Sequence, residues 1–175
     1  MKKQYMLIVI LVGVLVVSLP AVVSASWGTH SSEDQMTGEK MYFASSKDVG
    51  ATEKMGFPYD DTRAWLSIGN DGDDEWVYIG FTNQPNLTNT SLEDGYEVIN
   101  TRIKWNDNDI EETRLIQSWG AKFTHFSDDE YIISKIESSN TLLIELNWYG
   151  EGKVYFEFPL NGSAQAISEI RDKAE

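Results

Sequence analysis

The chain has no cysteine, two histidines and four prolines, and it carries 14 Lys and Arg against 28 Asp and Glu in 175 residues. Each scarcity removes a class of chemistry. Without thiols there is no cysteine nucleophile, thiolate zinc site or iron–sulfur cluster, and a protein outside the cytoplasm must be held by packing, hydrogen bonds or a bound ion instead of disulfides. With imidazole confined to His30 and His125, a zinc site or a Ser/His/Asp triad would rest on His125 alone, and no Gly-x-Ser-x-Gly elbow accompanies it. The bland reading of His125 is a rim residue ahead of a helix. The acidic excess repels phosphate, which argues against nucleic acid and against anionic membrane surfaces as partners.

Long apolar runs are also scarce, with one exception. Lys2 and Lys3, the run Met6 to Leu19 and the small residues Val23-Ser24-Ala25 have the three-part layout of a secretory signal. Cleavage is expected between Ala25 and Ser26, giving residues 1–25 as signal peptide and an exported, periplasmic or secreted product. The competing reading is an uncleaved anchor, but Pro20, Ser24 and Ala25 end the run near the lower limit for a spanning helix. No membrane insertion is expected once the signal is removed. The leader holds two lysines and no acid, so the remaining 150 residues carry 12 basic against 28 acidic groups, a formal charge of −16. That length suits one domain with a sizeable core and is short for two.

What is present is β-forming residues in short runs. Residues 26–39 are polar, with Ser31, Ser32, Glu33, Asp34 and Gln35 in a row, and are expected to be a flexible lead-in. From residue 40 to 175 a β-rich domain is predicted, with strands near 40–45, 63–68, 75–81, 96–105, 110–119, 141–149 and 153–160, separated by Gly, Asn and Asp clusters. The chain shows no internal repeat. The clearest local element is a hairpin across Gly150-Glu151-Gly152. A three-residue loop there pairs Trp148 with Val154, Leu146 with Phe156, Ile144 with Phe158 and Leu142 with Leu160, so one face is wholly apolar; a two-residue loop destroys that face. The same register sets Glu145 against Glu157, and Pro159, lacking an amide hydrogen, is best left unpaired. The hairpin from Tyr96 to Trp119 has no register that makes one face apolar, and a bulge would explain it.

Two short helices interrupt the strands. Ser127-Asp128-Asp129-Glu130 reads as a capping box before the stripe Ile132, Ile133, Ile136, with Asn140 as the stop. A C-terminal helix from Ser163 to about Lys173 turns Ile167, Ile170 and Ala174 to one side. The expected fold is therefore mainly β, a single antiparallel sandwich-like domain with two helices, the second at the C-terminus.

No pattern amounts to a catalytic signature. The clusters 70–75 and 106–112 offer hard oxygen ligands of the kind calcium takes, but neither has EF-hand spacing, and Asp, Asn and Gly are also what tight turns require. Asp60 and Asp61 are adjacent carboxylates of the type a glycosidase pairs, in a segment that reads first as a turn entering a strand. Aromatic residues give the better lead: Trp65, Trp76, Trp105, Trp119, Trp148, Tyr149 and Tyr155 lie on or beside strands, and a flat row of exposed rings stacks on sugars. Tryptophan is usually core. On the hairpin register Trp148 points inward and Tyr149 and Tyr155 outward, which leaves those two tyrosines as candidate ligand-binding residues. Three sequons, at Asn86, Asn89 and Asn161, matter only in a glycosylating host.

Asp60-Asp61-Thr62 ahead of Trp65-Leu66-Ser67-Ile68, then Thr101-Arg102-Ile103, the Trp119 to Phe123 segment, the first helix, and Leu142 to Leu146 through Phe156 to Gly162 and on to Ile170 make a pattern over roughly Tyr42 to Arg171. It resembles the VasI-like family of exported proteins associated with type VI secretion. The cysteines of that family's strand and C-terminus are missing here. The resemblance implies a small β-rich, non-enzymatic periplasmic module and supplies no catalytic residues. The reading of the whole is an exported binding or accessory protein of the cell envelope, with an envelope protein or glycan as partner and no cofactor. The alternatives are a carbohydrate-binding module using Tyr149 and Tyr155 and a small hydrolase built on Asp60 and Asp61.

Overall fold

A computed structural model describes residues 26–175 except Asp109. The signal expected over residues 1–25, with the Ala25 side of its cleavage site, lies outside the described residues. In chain order the elements are β1 (Trp27–Glu33), β2 (Lys40–Ser46), β3 (Val49–Gly50), β4 (Arg63–Asn70), β5 (Glu75–Phe81), β6 (Thr90–Glu93), β7 (Tyr96–Trp105), β8 (Ile110–Gln117), β9 (Phe123–Phe126), α1 (Asp129–Ser138), β10 (Thr141–Trp148), β11 (Gly152–Pro159) and α2 (Ser163–Ala174). The fold is mainly β, a single sandwich-like antiparallel arrangement with two short helices, the second at the C-terminus, as the strand and helix patterns predict.

All strands belong to one sheet, in the order β1-β2-β4-β5-β9-β8-β7-β10-β11, with β3 added to β4 and β6 to β7. The sheet curls until its last strand meets the start of the chain's own middle. Ala51 bridges to Phe156, and the Thr52 N–H donates to the Tyr155 carbonyl at 2.8 Å. Alternate residues of each strand therefore face an enclosed interior: Leu66 and Ile68 from β4, Val77 and Ile79 from β5, Ile103 and Trp105 from β7, and Leu142, Ile144, Leu146 and Trp148 from β10 are all buried. The helices complete that interior with Ile132, Ile133 and Ile136 from α1 and Ala166, Ile167 and Ile170 from α2.

The β10–β11 hairpin keeps the expected faces but not the expected register. Leu146 pairs with Val154, Ile144 with Phe156, Leu142 with Phe158 and Trp148 with Gly152, a slip of two residues from the Trp148–Val154 pairing. Because side chains alternate with period two, a slip of two leaves every apolar residue inside, and all eight, including Leu160, are buried. Turn chemistry and charge separate the two registers. The Trp148 carbonyl accepts from the Glu151 N–H at 3.1 Å, which sets Gly150, at φ +80°, in the turn position where positive φ favours glycine. Glu145 now faces Tyr155 instead of Glu157, and the two carboxylates are no longer opposed. Pro159 is paired in register with Thr141 at the very end of β11, where the missing amide costs least.

Four strands arise where the sequence pattern is silent. The segment 26–39, expected to be a flexible lead-in, instead holds β1, paired with β2 from Trp27–Ser46 to Glu33–Lys40. Its polarity follows from its position at the sheet's end, where one residue is inserted and the rest lie open: Trp27 is buried, with its Nε1–H donating to the Pro159 carbonyl at 3.0 Å, while Ser31, Ser32 and Glu33 are exposed. Ser26 donates its backbone N–H to the Asn161 carbonyl at 3.1 Å, so the chain is secured from the first described residue. The short strands β3, β6 and β9, of two to four residues, carry too few side chains to show a period.

Two further expectations are corrected. The cap of α1 is Asp128, whose carboxylate accepts from the Tyr131 N–H at 3.1 Å; Ser127, the expected capping residue, instead donates its hydroxyl to the Arg114 carbonyl. Both residues are good N-caps, and the backbone tie to β8 decides between them. The β7–β8 hairpin runs without a bulge from Glu97–Gln117 to Lys104–Ile110. Its mixed polarity comes from buried polar residues that find partners: Gln117 donates to the Ala121 carbonyl at 2.8 Å and Thr101 to that of Glu145.

Truncating the hairpin core tests this arrangement. Ile144→Ala and Phe156→Ala are expected to cost about 2–5 kcal/mol each in urea unfolding, whereas Glu157→Ala, on the exposed face, should stay within about 0.5 kcal/mol.

Candidate functional site

The outer face of β1, β2, β4, β5 and β9 carries a continuous aromatic surface. Its origin is a Trp-x-x-Ile-Gly pattern that occurs twice, Trp65-Leu66-Ser67-Ile68-Gly69 on β4 and Trp76-Val77-Tyr78-Ile79-Gly80 on β5. The β4–β5 register pairs Trp65 with Gly80 and Gly69 with Trp76, so each tryptophan of one copy stands across from the glycine that ends the other. The two copies are thereby related by a local twofold axis through the strand pair. This shared pattern is a signal that reading the strands one at a time does not show.

The glycines are what let the indoles lie down. A Cβ at Gly69 would fall on Cε2, Cζ2 and Nε1 of Trp76, and one at Gly80 on Cζ2, Cε2 and Cη2 of Trp65, so each indole occupies the space a side chain would fill. Atoms from both fused rings meet that one point, which puts it above the ring plane: the indoles rest flat on the neighbouring strand and keep their other face outward. Phenylalanines from the flanking strands stand against them. Phe43, opposite Gly69 on β2, meets Trp76 edge-on with centroids 6.2 Å apart at 82°; Phe123, opposite Gly80 on β9, meets Trp65 at 6.2 Å and 83°. The result is two corners, each an indole floor with a phenyl wall.

Tyr78 lies between the corners, its ring 5.4 Å from Phe123 and 5.7 Å from His125, and His30 stacks on Phe43 at 5.0 Å and 14°. Phe123 keeps 40 % of its surface exposed, and Trp65, Trp76, Tyr78 and Phe43 are each partly exposed. Polar groups on this face are mostly neutral. Ser45 and Ser67 share a hydrogen bond of 2.7 Å beside the rings. Desolvation holds the His125 imidazole below the ordinary histidine pKa, against the weaker pull of the Asp129 carboxylate, so the ring is uncharged at neutral pH. Asp129 accepts from the Val77 N–H at 2.8 Å, and Arg63 is paired with Asp48.

The tyrosines singled out from the sequence do not form this surface. Tyr149 sits on the hairpin turn, 64 % exposed, with its backbone N–H donating to the Asn86 carbonyl. Tyr155 belongs to a cross-strand row on β7, β10 and β11. Glu145, buried at the centre of the row, accepts from Arg102 Nε at 3.1 Å and Tyr155 Oη at 2.9 Å and lies 3.3 Å from Lys153 Nζ. The Arg102 guanidinium holds the Glu145 carboxyl below the usual glutamate range, with help from Tyr155 and Lys153. A shallow recess of about 120 Å³ beside the row is lined by Ile103, Ile110 and Leu143. With its oxygens so engaged, Glu145 braces three strands and is not free to act as a base.

Asp60, Asp61 and Thr62 do share a surface recess with Lys54, Tyr59 and Arg63. Asp61 accepts from Asn83 Nδ2 at 2.8 Å, and the buried Thr62 hydroxyl accepts from the same nitrogen at 3.2 Å, so these residues fasten the turn before β4. In the 70–75 cluster Asp71 Oδ1 accepts from the Asp73 and Asp74 amides, and Asn70 Oδ1 from Gly72, the hydrogen bonds of a tight turn. Among the described residues no group of three or more His, Asp or Glu is placed to hold a metal ion.

Two outcomes test this description. Gly69→Ala and Gly80→Ala should each lift an indole and lower stability by about 1–3 kcal/mol, while Gly28→Ala, with open space around its Cβ, should stay within about 0.5 kcal/mol in the same urea titration. The lowered pKa of Glu145 means that its stabilisation is present above the ordinary glutamate value of about 4.3 and is lost as pH falls through the folded-state value. Glu145→Gln should therefore lower the melting temperature at pH 7 and flatten the decline that the parent protein shows below about pH 4.3.

No family model and no curated protein matches the chain. Among solved structures it is similar to the crystal structure of invasion associated protein B from Bartonella henselae, with a TM-score of 0.55 and 14 % identity over 85 % of this chain and 94 % of that one. At that identity the likeness is one of fold.

Proposed function

We propose that the chain is an exported, non-enzymatic binding protein of the cell envelope that engages its partner through the outer aromatic face. The observation that carries the reading is the pair of indoles, Trp65 and Trp76, laid flat over Gly80 and Gly69 with their second faces turned outward. Apolar rings on the outside of a sheet add nothing to the core and invite association, so a role in recognition accounts for their position better than stability does. Export is supported by the basic-apolar-small layout of residues 1–25. An accessory role beside a secretion system, which the VasI-like resemblance implies, is a narrower form of the same proposal.

Sedimentation of the purified protein with isolated envelopes of the source organism tests it. The parent protein should be retained, Trp65→Ala and Trp76→Ala should each lose at least tenfold in apparent affinity, and Tyr149→Ala should bind like the parent. Equal retention of the tryptophan variants and the parent would remove the aromatic face from the function.

A further inference from the structure

Resting on the binding reading above, we infer that the ligand of the aromatic face is an uncharged glycan chain whose pyranose rings stack on Trp65 and Trp76. Three features point to this chemistry. First, the indoles present faces, not edges. Each lies flat on a glycine of the neighbouring strand, and the apolar C–H side of a pyranose packs against such a face, whereas a protein hot spot inserts its side chains into pockets. Second, each floor has an upright phenyl wall, Phe43 beside Trp76 and Phe123 beside Trp65, which limits the sideways slide of a ring lying on the floor. Third, the polar groups beside the rings include the Ser45 hydroxyl and the imidazoles of His30 and His125, able to exchange hydrogen bonds with sugar hydroxyls.

The charge of the molecule excludes the obvious competitors. A chain with 28 acidic and 14 basic residues disfavours an anionic polymer, and the one arginine on this face is already paired with Asp48. The spacing of the two floors sets the ligand's length. Trp65 and Gly69 are four residues apart on one strand, and the Trp76 ring covers Gly69, so the floors are roughly 13 Å apart along the strands, with Tyr78 between them. One sugar cannot reach both. An oligosaccharide can, and engaging two floors at once multiplies two weak contacts into useful affinity.

The experiment uses the same envelopes, divided into untreated, protease-treated and periodate-oxidised portions, because periodate cleaves the vicinal diols of sugar rings and protease removes proteins. The result expected is retention that survives protease, falls at least tenfold after periodate, and is lost with Trp65→Ala and Trp76→Ala. Trp65→Phe and Trp76→Phe, which keep a ring over each glycine, should retain part of the binding. Phe123→Ser, which removes a wall and leaves both floors, guards against loss through misfolding: it should weaken binding while the protein still unfolds in one cooperative transition, its melting temperature lowered only by the loss of two outer aromatic contacts. Retention that survives periodate and disappears with protease would overturn the glycan inference while leaving the aromatic face a protein-binding surface. Absence of retention on every portion would remove the binding reading and this inference together.

Discussion

The antiparallel register that sets Leu66 against Ile79 and Ile68 against Val77 governs both faces of the molecule. These four side chains are fully buried, each contributing roughly 1.5–3 kcal/mol by leaving water, while an outer aromatic pair adds about 0.5–1.5 kcal/mol. The core therefore chooses the register. Once it is chosen, the strand period puts Trp65 on Gly80 and Trp76 on Gly69 without further instruction. An alanine at either glycine sets the two faces in conflict, because the inner pairs demand a register that the outer rings can no longer accept.

Closure of the sheet depends on a few long-range ties in place of disulfides. The β11 edge is covered where Ala51 and Thr52 meet Phe156 and Tyr155, and β1 is fastened to the end of β11 by Trp27. On the helical side Arg171 of α2 donates to both Glu75 oxygens at 2.8 Å and to Glu137 of α1 at 2.7 Å. That one guanidinium joins α2, β5 and α1, and it lowers the Glu75 pKa by hydrogen bonding and charge. In a chain with a twofold excess of acid, such pairing also removes like-charge repulsion where the helices crowd the sheet.

Much of the architecture was legible because burial alternates along long strands. The seven runs recognised by composition coincide with β2, β4, β5, β7, β8, β10 and β11, and the eight hairpin residues expected inside are inside. Parity was legible; register was not, since a slip of two residues preserves every face and only the turn at Gly150 and the Glu145–Tyr155 contact tell the alternatives apart. β1 shows no apolar period because a terminal strand of the sheet buries one anchor, Trp27, and leaves its remaining side chains polar. The candidate site is hidden for a related reason. Trp65 and Trp76 are legible as strand aromatics, but nothing within either strand says which glycine its indole will cover.

Composition and periodicity alone determined that this is a disulfide-free, acidic, mainly β chain with two helices, and which residues of each long strand go inside, because those properties are local to a segment. Tertiary structure decided which strands are neighbours, and with that the pairing of each tryptophan with a distant glycine, the upright placement of Phe43 and Phe123, and the conversion of Tyr155 from a candidate contact into a brace for Glu145. The physical reason is that strand order and register are set by the summed burial of the whole interior, a quantity no single segment contains.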